Sequence, residues 1–260
     1  MSYNNNYLIT CIILIFITTV FLLNNIPIAF SIDEDTELGY KCLSSNEPFN
    51  SIYNQTLETV MNNLITNTAT VPFRGGYSAA IKKGDDYNWV YGHAMCRGDV
   101  SADECQACIE NAANTLIDTT HCPNNRSAIV WRNYCMVKYS DVDFLGKIDT
   151  DDNITMYNST GLNWGYNTVE KFFRNLTQVA NKSPMKFAHG SMEEYELGSL
   201  YQLYGMVQCT LDLILRPDDC VTCLNLAIEG LSKCCDTKQD GRIVYGSCNV
   251  RFEMYNFLKS

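Results

Sequence analysis

The sequence predicts an α+β protein built as two tandem homologous domains, each a small antiparallel sheet covered by two helices and stapled by disulfides. A duplicated cysteine pattern, a repeated order of helix-like and strand-like segments, and an export signal ahead of an even set of cysteines point to it. Cys96, Cys105, Cys108, Cys122 and Cys135 recur as Cys209, Cys220, Cys223, Cys235 and Cys248, at offsets of 113, 115, 115, 113 and 113. That is an internal repeat. Flanking residues agree: YGHAMC matches YGMVQC, and ECQACIENAANTLI matches DCVTCLNLAIEGLS. The expected boundaries are a signal peptide over 1–31, a first domain over 32–141, a linker over 142–156 and a second domain over 157–260.

In the first repeat, Ile52, Leu57, Val60, Met61, Leu64 and Ile65 fall at near-helical spacing and predict an amphipathic helix. YSAAIKK and WVYGHAMC read as short strands split by the turn-forming GDD. Ser101 followed by Glu104 has capping-box spacing and starts a second helix through CQACIENAANTLI. Strand-rich AIVWRNYCMVKY closes the unit. The second repeat supplies VEKFFRNLTQVA and DCVTCLNLAIEGL as helices, with MKFAHG, LYGMVQC and RIVYGSCNVRFEMY as strands. Helices covering one face of an antiparallel sheet satisfy this order. Between the repeats, the acidic LGKIDTDDNITMYNST reads as an exposed linker.

Leu8 to Leu23 form an uncharged apolar run followed by small residues at Ala29 and Ser31, the pattern of a secretory signal cut near Ser31. An uncleaved signal anchor is the alternative, because the run approaches the length of a membrane span. No second apolar span follows, so no stable membrane anchor is expected. Cys11 leaves with the signal. The twelve remaining cysteines then sit in an oxidising compartment that suits pairing. Sequons at Asn54, Asn125, Asn153, Asn158, Asn175 and Asn181 fit an exported glycoprotein. A net charge of −10 is the wrong sign for neutralising phosphates, so nucleic acid is not an expected partner.

The two C-x2-C units, Cys105/Cys108 and Cys220/Cys223, admit zinc or redox chemistry, but an oxidising compartment favours structural disulfides. No metal or cofactor is expected. Asp149, Asp151 and Asp152 lack the glycine and distal glutamate of a calcium loop and read as a solvated linker. His93, His121 and His189 are scattered, and no catalytic constellation, phosphate loop or nucleophile elbow is evident. No catalytic residue is assigned, and the chain is read as non-enzymatic.

The spacing C-x8-C-x2-C at Cys96, Cys105 and Cys108, set twice in YG…C…C..C and followed by a strand that ends in Cys, resembles the ginkbilobin-2-like (DUF26) domain of plants. Two copies behind a signal peptide resemble the plant cysteine-rich repeat secretory proteins. The resemblance implies pairing of Cys42 with Cys122, Cys96 with Cys105, Cys108 with Cys135, Cys209 with Cys220, and Cys223 with Cys248. The second repeat departs from the pattern: its first spacing is C-x10-C, and no cysteine stands near Tyr157 where Cys42 should recur. Cys235 therefore lacks its expected partner. It either bridges to adjacent Cys234, or one of the two is a free or intermolecular thiol.

The family's founding member binds mannose through an Asn, an Arg and a Glu, and the resemblance carries the last two onto Arg242 and Glu253, with Asn158 a loose match for the first. Guanidinium and carboxylate suit vicinal hydroxyls; the competing reading is an ion pair without a ligand. The first repeat has Leu43, Ile129 and Ser140 at these positions, so no sugar site carries over there. The expected function is a secreted, apoplastic binding protein of plant defence or signalling that recognises a protein or cell-wall partner. The alternative is a mannose-binding antifungal lectin acting through the second domain. Trp131, Trp164 and Tyr255 are candidate aromatic anchors, with core packing the competing use of each.

Overall fold

A computed structural model describes residues 34–43, 48–70, 75–118, 120–158, 166–196, 199–235 and 237–259. The expected signal peptide, Cys11 and Trp164 lie outside them. The first repeat runs β1 (Glu37–Leu43), α1 (Ser51–Thr68), β2 (Gly76–Lys82), β3 (Trp89–Cys96), α2 (Ala102–Ile117), β4 (Ser127–Arg132) and β5 (Cys135–Ser140). The second repeats that order with β6 (Asn153–Met156), α3 (Tyr166–Lys182), β7 (Phe187–Glu196), β8 (Ser199–Cys209), α4 (Pro217–Cys235), β9 (Gly241–Tyr245) and β10 (Cys248–Glu253). Each repeat forms one five-stranded antiparallel sheet. The strand orders β1-β4-β5-β3-β2 and β6-β9-β10-β8-β7 are the same topology.

Local sequence sets the helix starts. Asn50 accepts the Tyr53 N–H at 2.8 Å ahead of α1. The predicted capping box opens α2: Glu104 N–H donates to Ser101 Oγ, and Ser101 N–H donates to Glu104 Oε2. The helical period then meets the strand period. Leu57, Val60, Met61 and Leu64 of α1 and Ile109, Ala112 and Leu116 of α2 are buried against Val90, Ala94, Val130 and Val137. In the second repeat, Phe173 and Ala180 of α3 and Leu224, Ile228 and Leu231 of α4 cover Leu203, Val207, Ile243 and Val250. Each buried aliphatic or aromatic side chain contributes about 1.5–3 kcal/mol.

Disulfides join Cys42 to Cys122, Cys96 to Cys105, Cys108 to Cys135, Cys209 to Cys220 and Cys223 to Cys248. A vicinal bridge links Cys234 and Cys235 at the end of α4. Where Cys42 would recur, Tyr157 stands with the Lys238 ammonium 5.6 Å from its ring centre.

The interval read as an exposed linker ends in a strand. β6 pairs Ile154 with Val244 and Met156 with Arg242, closing the second sheet as β1 closes the first. NITM is too short for its alternation to register against acidic surroundings. Of the aspartates before it, Asp149 and Asp152 are structural as well, while Asp151 is exposed. Asp149 accepts from the Asp151 and Asp152 N–H groups and from Lys138 Nζ, and Asp152 accepts from Lys41 Nζ.

Candidate functional site

Strand alternation leaves each sheet a second face, away from its helices. In the first repeat that face carries Met95, Ile129, Trp131 and Met136, all buried, and they pack with Val244 of the second repeat. Leu38, Ile154 and Leu211 join the margin. Trp131, a proposed anchor, is 1% exposed and donates Nε1–H to the Tyr245 carbonyl. The helix-free faces of the two repeats are therefore packed against each other. Polar groups cross the same seam: Gln208 Nε2 donates to the Cys96 carbonyl at 3.0 Å, and Arg97 Nη2 donates to the Phe257 carbonyl.

Arg242 and Glu253 lie on this face. Asn133, in the turn between β4 and β5, accepts at its Oδ1 from Arg242 Nη1 at 2.8 Å and from Arg251 Nη1 at 3.0 Å. Arg242 Nε donates to Asn249 Oδ1 at 3.3 Å. Register sets Arg242 directly opposite Arg251. Two like charges there repel, and the shared Asn133 carbonyl and the Glu253 carboxylate offset that repulsion. Glu253 accepts from Arg251 Nε at 2.9 Å. Burial pushes the Glu253 carboxyl above its ordinary value, against the pull of Arg251. Arg251 also donates to the Tyr255 hydroxyl, and its guanidinium stacks 4.0 Å from the Phe257 ring centre.

Asn158 is exposed just beyond β6, its N–H donating to Asp240 Oδ1 at 2.6 Å. The structure thus gathers Asn158, Arg242 and Glu253 at one end of the β6-β9-β10 set, but turns Arg242 toward the first repeat. The cavity beside Arg242 measures about 30 Å³ and is walled by Trp131, Asn133 and Gln208. That is room for about one or two waters. At the first repeat's counterparts, Ile129 is buried in the seam, and Ser140 shares a 2.6 Å hydrogen bond with Ser127.

A second group was not legible from sequence. Ser78 Oγ lies 2.8 Å from His93 Nδ1, and His93 Nε2 lies 4.0 Å from Asp212 Oδ1, an aspartate of the other repeat. Burial holds the His93 pKa below its ordinary value; Asp212 pulls it up and Lys138 pushes it down. The 4.0 Å gap exceeds a hydrogen bond, so the carboxylate does not orient the ring as a Ser-His-Asp triad requires. Of the sequon asparagines, Asn153, Asn158 and Asn175 are exposed, whereas Asn54, Asn125 and Asn181 are half-buried.

These features define a class: tandem, disulfide-stapled α+β modules joined through their sheets. Comparison with known proteins names it. The family model described as salt stress response/antifungal matches residues 41–142 and 157–255, and the chain belongs to that family. It is 38% identical over 231 residues to cysteine-rich repeat secretory protein 38 of Arabidopsis thaliana, covering 86% of each chain. It is 37% identical over 211 residues to the antimicrobial ginkbilobin-2-like protein of Castanea crenata, covering 80% of this chain and 83% of that one. Its fold matches the tandem DUF26 ectodomain of the Arabidopsis thaliana cysteine-rich receptor-like protein PDLP8 with a TM-score of 0.65 and 20% identity, over 85% of this chain and 98% of that one. The chain is a secreted, extracellular protein of this cysteine-rich repeat type. No helix among the described residues is long and apolar enough to cross a membrane.

Proposed function

We propose that the protein is a non-enzymatic extracellular binding module of plant defence or stress signalling, engaging a protein or cell-wall partner as one tandem body. The observation that carries this reading is the Asn133 junction, where both guanidinium groups of the second sheet's helix-free face bind the first repeat. A partner meets outer surface contributed by both repeats. The family description and the antimicrobial designation of the chestnut relative support a defensive role.

A mannose lectin acting through Arg242 and Glu253 is the competing reading, and it requires the Arg242 contact with Asn133 to open. A glycan array on the disulfide-intact secreted protein, with Arg242→Ala and Glu253→Ala variants, separates the two. A partner-binding module shows no mannose signal that depends on these residues. Saturable mannose binding abolished by both substitutions makes it a lectin instead.

A further inference from the structure

Each sheet ends in two edge strands, and an open edge invites another strand unless charge, shortness or a bulge guards it. β1 carries Glu37 and Lys41 and a register shift between Glu37 and Gly39. β6 is four residues long, and β7 carries Glu193, Glu194 and Glu196. β2 has none of these guards. It holds no charge from Gly76 to Ile81, no proline, and an unbroken register against β3, its one neighbour in the sheet. Among the described residues, the backbone of Tyr77 to Ile81 makes no hydrogen bond outside that ladder. Tyr77 and Ile81 are half-buried at the margin of the first core and leave apolar surface uncovered on its helix side.

We propose that β2 is the docking surface for a second copy of this chain, paired edge to edge and antiparallel across a twofold axis, so that two five-stranded sheets run on as one. Keeping the helices on one side requires opposed residues to share a face. A twofold at Ala79 sets Tyr77 opposite the partner's Ile81, Ser78 opposite the partner's Ala80 and Gly76 opposite the partner's Lys82. Both aromatic–β-branched pairs fall on the helix side and extend the two cores. Centring on Ala80 instead puts Tyr77 opposite the partner's Lys83. Charge favours the same edge: the chain carries a net −10, which keeps copies apart, but residues 75–83 hold two lysines and no acid.

The surface is continuous with the seam. Leu211, in the seam's apolar margin, lies over Gly76. Ile214, which shares a hollow with Gly76, Tyr77 and Ser78, is 40% exposed, and Leu215 is 90% exposed. The longer C-x10-C loop thus stands an apolar flank beside the Gly76 end, where the aliphatic stem of the partner's Lys82 arrives. Seven strand residues and this flank fall short of the roughly 20–30 residues a side of a standard interface. The dimer is therefore weak, and its isologous contact closes at two copies.

The inference goes beyond the partner-binding reading, which a monomer satisfies equally. Sedimentation velocity of the mature, disulfide-intact protein from about 1 μM to 1 mM is expected to show a monomer–dimer equilibrium. Amides of Tyr77 to Ile81 gain hydrogen-exchange protection as the dimer forms, while those of β1, β6 and β7 do not. Ala80→Glu charges the exposed side of the edge and weakens dimerisation by at least about tenfold. An equimolar mixture with Ala80→Lys restores it, because the two copies of position 80 lie diagonally within reach of long side chains; recovery also shows that both variants fold. A monomer at every concentration, species larger than a dimer, undiminished dimerisation in Ala80→Glu, no recovery in the mixture, or protection gained at another edge overturns the proposal and leaves the partner-binding reading standing.

Discussion

Arg242 of β9 and Asn133, 109 positions earlier in the chain, are joined by a 2.8 Å hydrogen bond from guanidinium Nη1 to side-chain oxygen, and Arg251 donates to that same oxygen. One neutral side chain therefore accepts from two buried cations, with Glu253 pairing with Arg251 as well. Asn133→Ala removes one acceptor from each guanidinium and is expected to cost about 2–4 kcal/mol, since hydrogen bonds from charged donors are worth more than neutral ones. Arg242→Met removes one donor and leaves Arg251 served, so it costs less. Denaturant unfolding with disulfides intact measures the order.

The seam also shows one contact used twice with its sizes exchanged. A Cβ on Gly98 would lie 2.5 Å from the Phe187 side chain, and a Cβ on Gly76 would lie 2.9 Å from that of Leu211. Gly98 and Leu211 are repeat counterparts, as are Gly76 and Phe187 by their pairing with Met95 and Gln208. Gly98→Val is expected to destabilise by about 1–3 kcal/mol through overpacking. In a double-mutant cycle, Phe187→Ala recovers part of that loss. Strict additivity of the two substitutions contradicts the contact.

The bridges should rank by the loops they close. Cys42–Cys122 spans 80 positions and Cys234–Cys235 spans one. Chain entropy predicts about 4–5 kcal/mol for the first and very little for the second. Alanine pairs at each site, compared by thermal melting, are expected to differ in that order. Comparable losses at both sites contradict it.

His93 makes the protein acid-sensitive. Its folded pKa lies below its unfolded value, mainly through burial, so the unfolded chain binds more protons as pH falls. Stability is lost as pH drops below about 6.5, by at most about 1.4 kcal/mol per pH unit for this group. Asp212 narrows the window and Lys138 widens it. His93→Gln is expected to flatten the stability profile between neutrality and the folded pKa, read from denaturant midpoints across pH. An unchanged slope refutes the assignment.

The fold was legible wherever chemistry is local. Ser101 and Glu104 announced the start of α2, and the doubled cysteine spacing announced two copies of one sheet. The seam was not, because it depends on which strand face meets which across more than a hundred residues. One signal did exist. Ala128 to Trp131 is apolar at four consecutive positions, and a strand without alternation is a strand covered on both faces. Asn133 and Asp212 gave no such signal. A turn asparagine and a loop aspartate read as solvated until their partners are placed.

Closure of the two helix-free faces is the claim on which the functional account rests, and scanning calorimetry of the mature, disulfide-intact protein tests it most directly. The account predicts one cooperative transition in which the calorimetric and van't Hoff enthalpies agree, lowered in Asn133→Ala. Two independent transitions, each insensitive to substitution at Asn133, would contradict it.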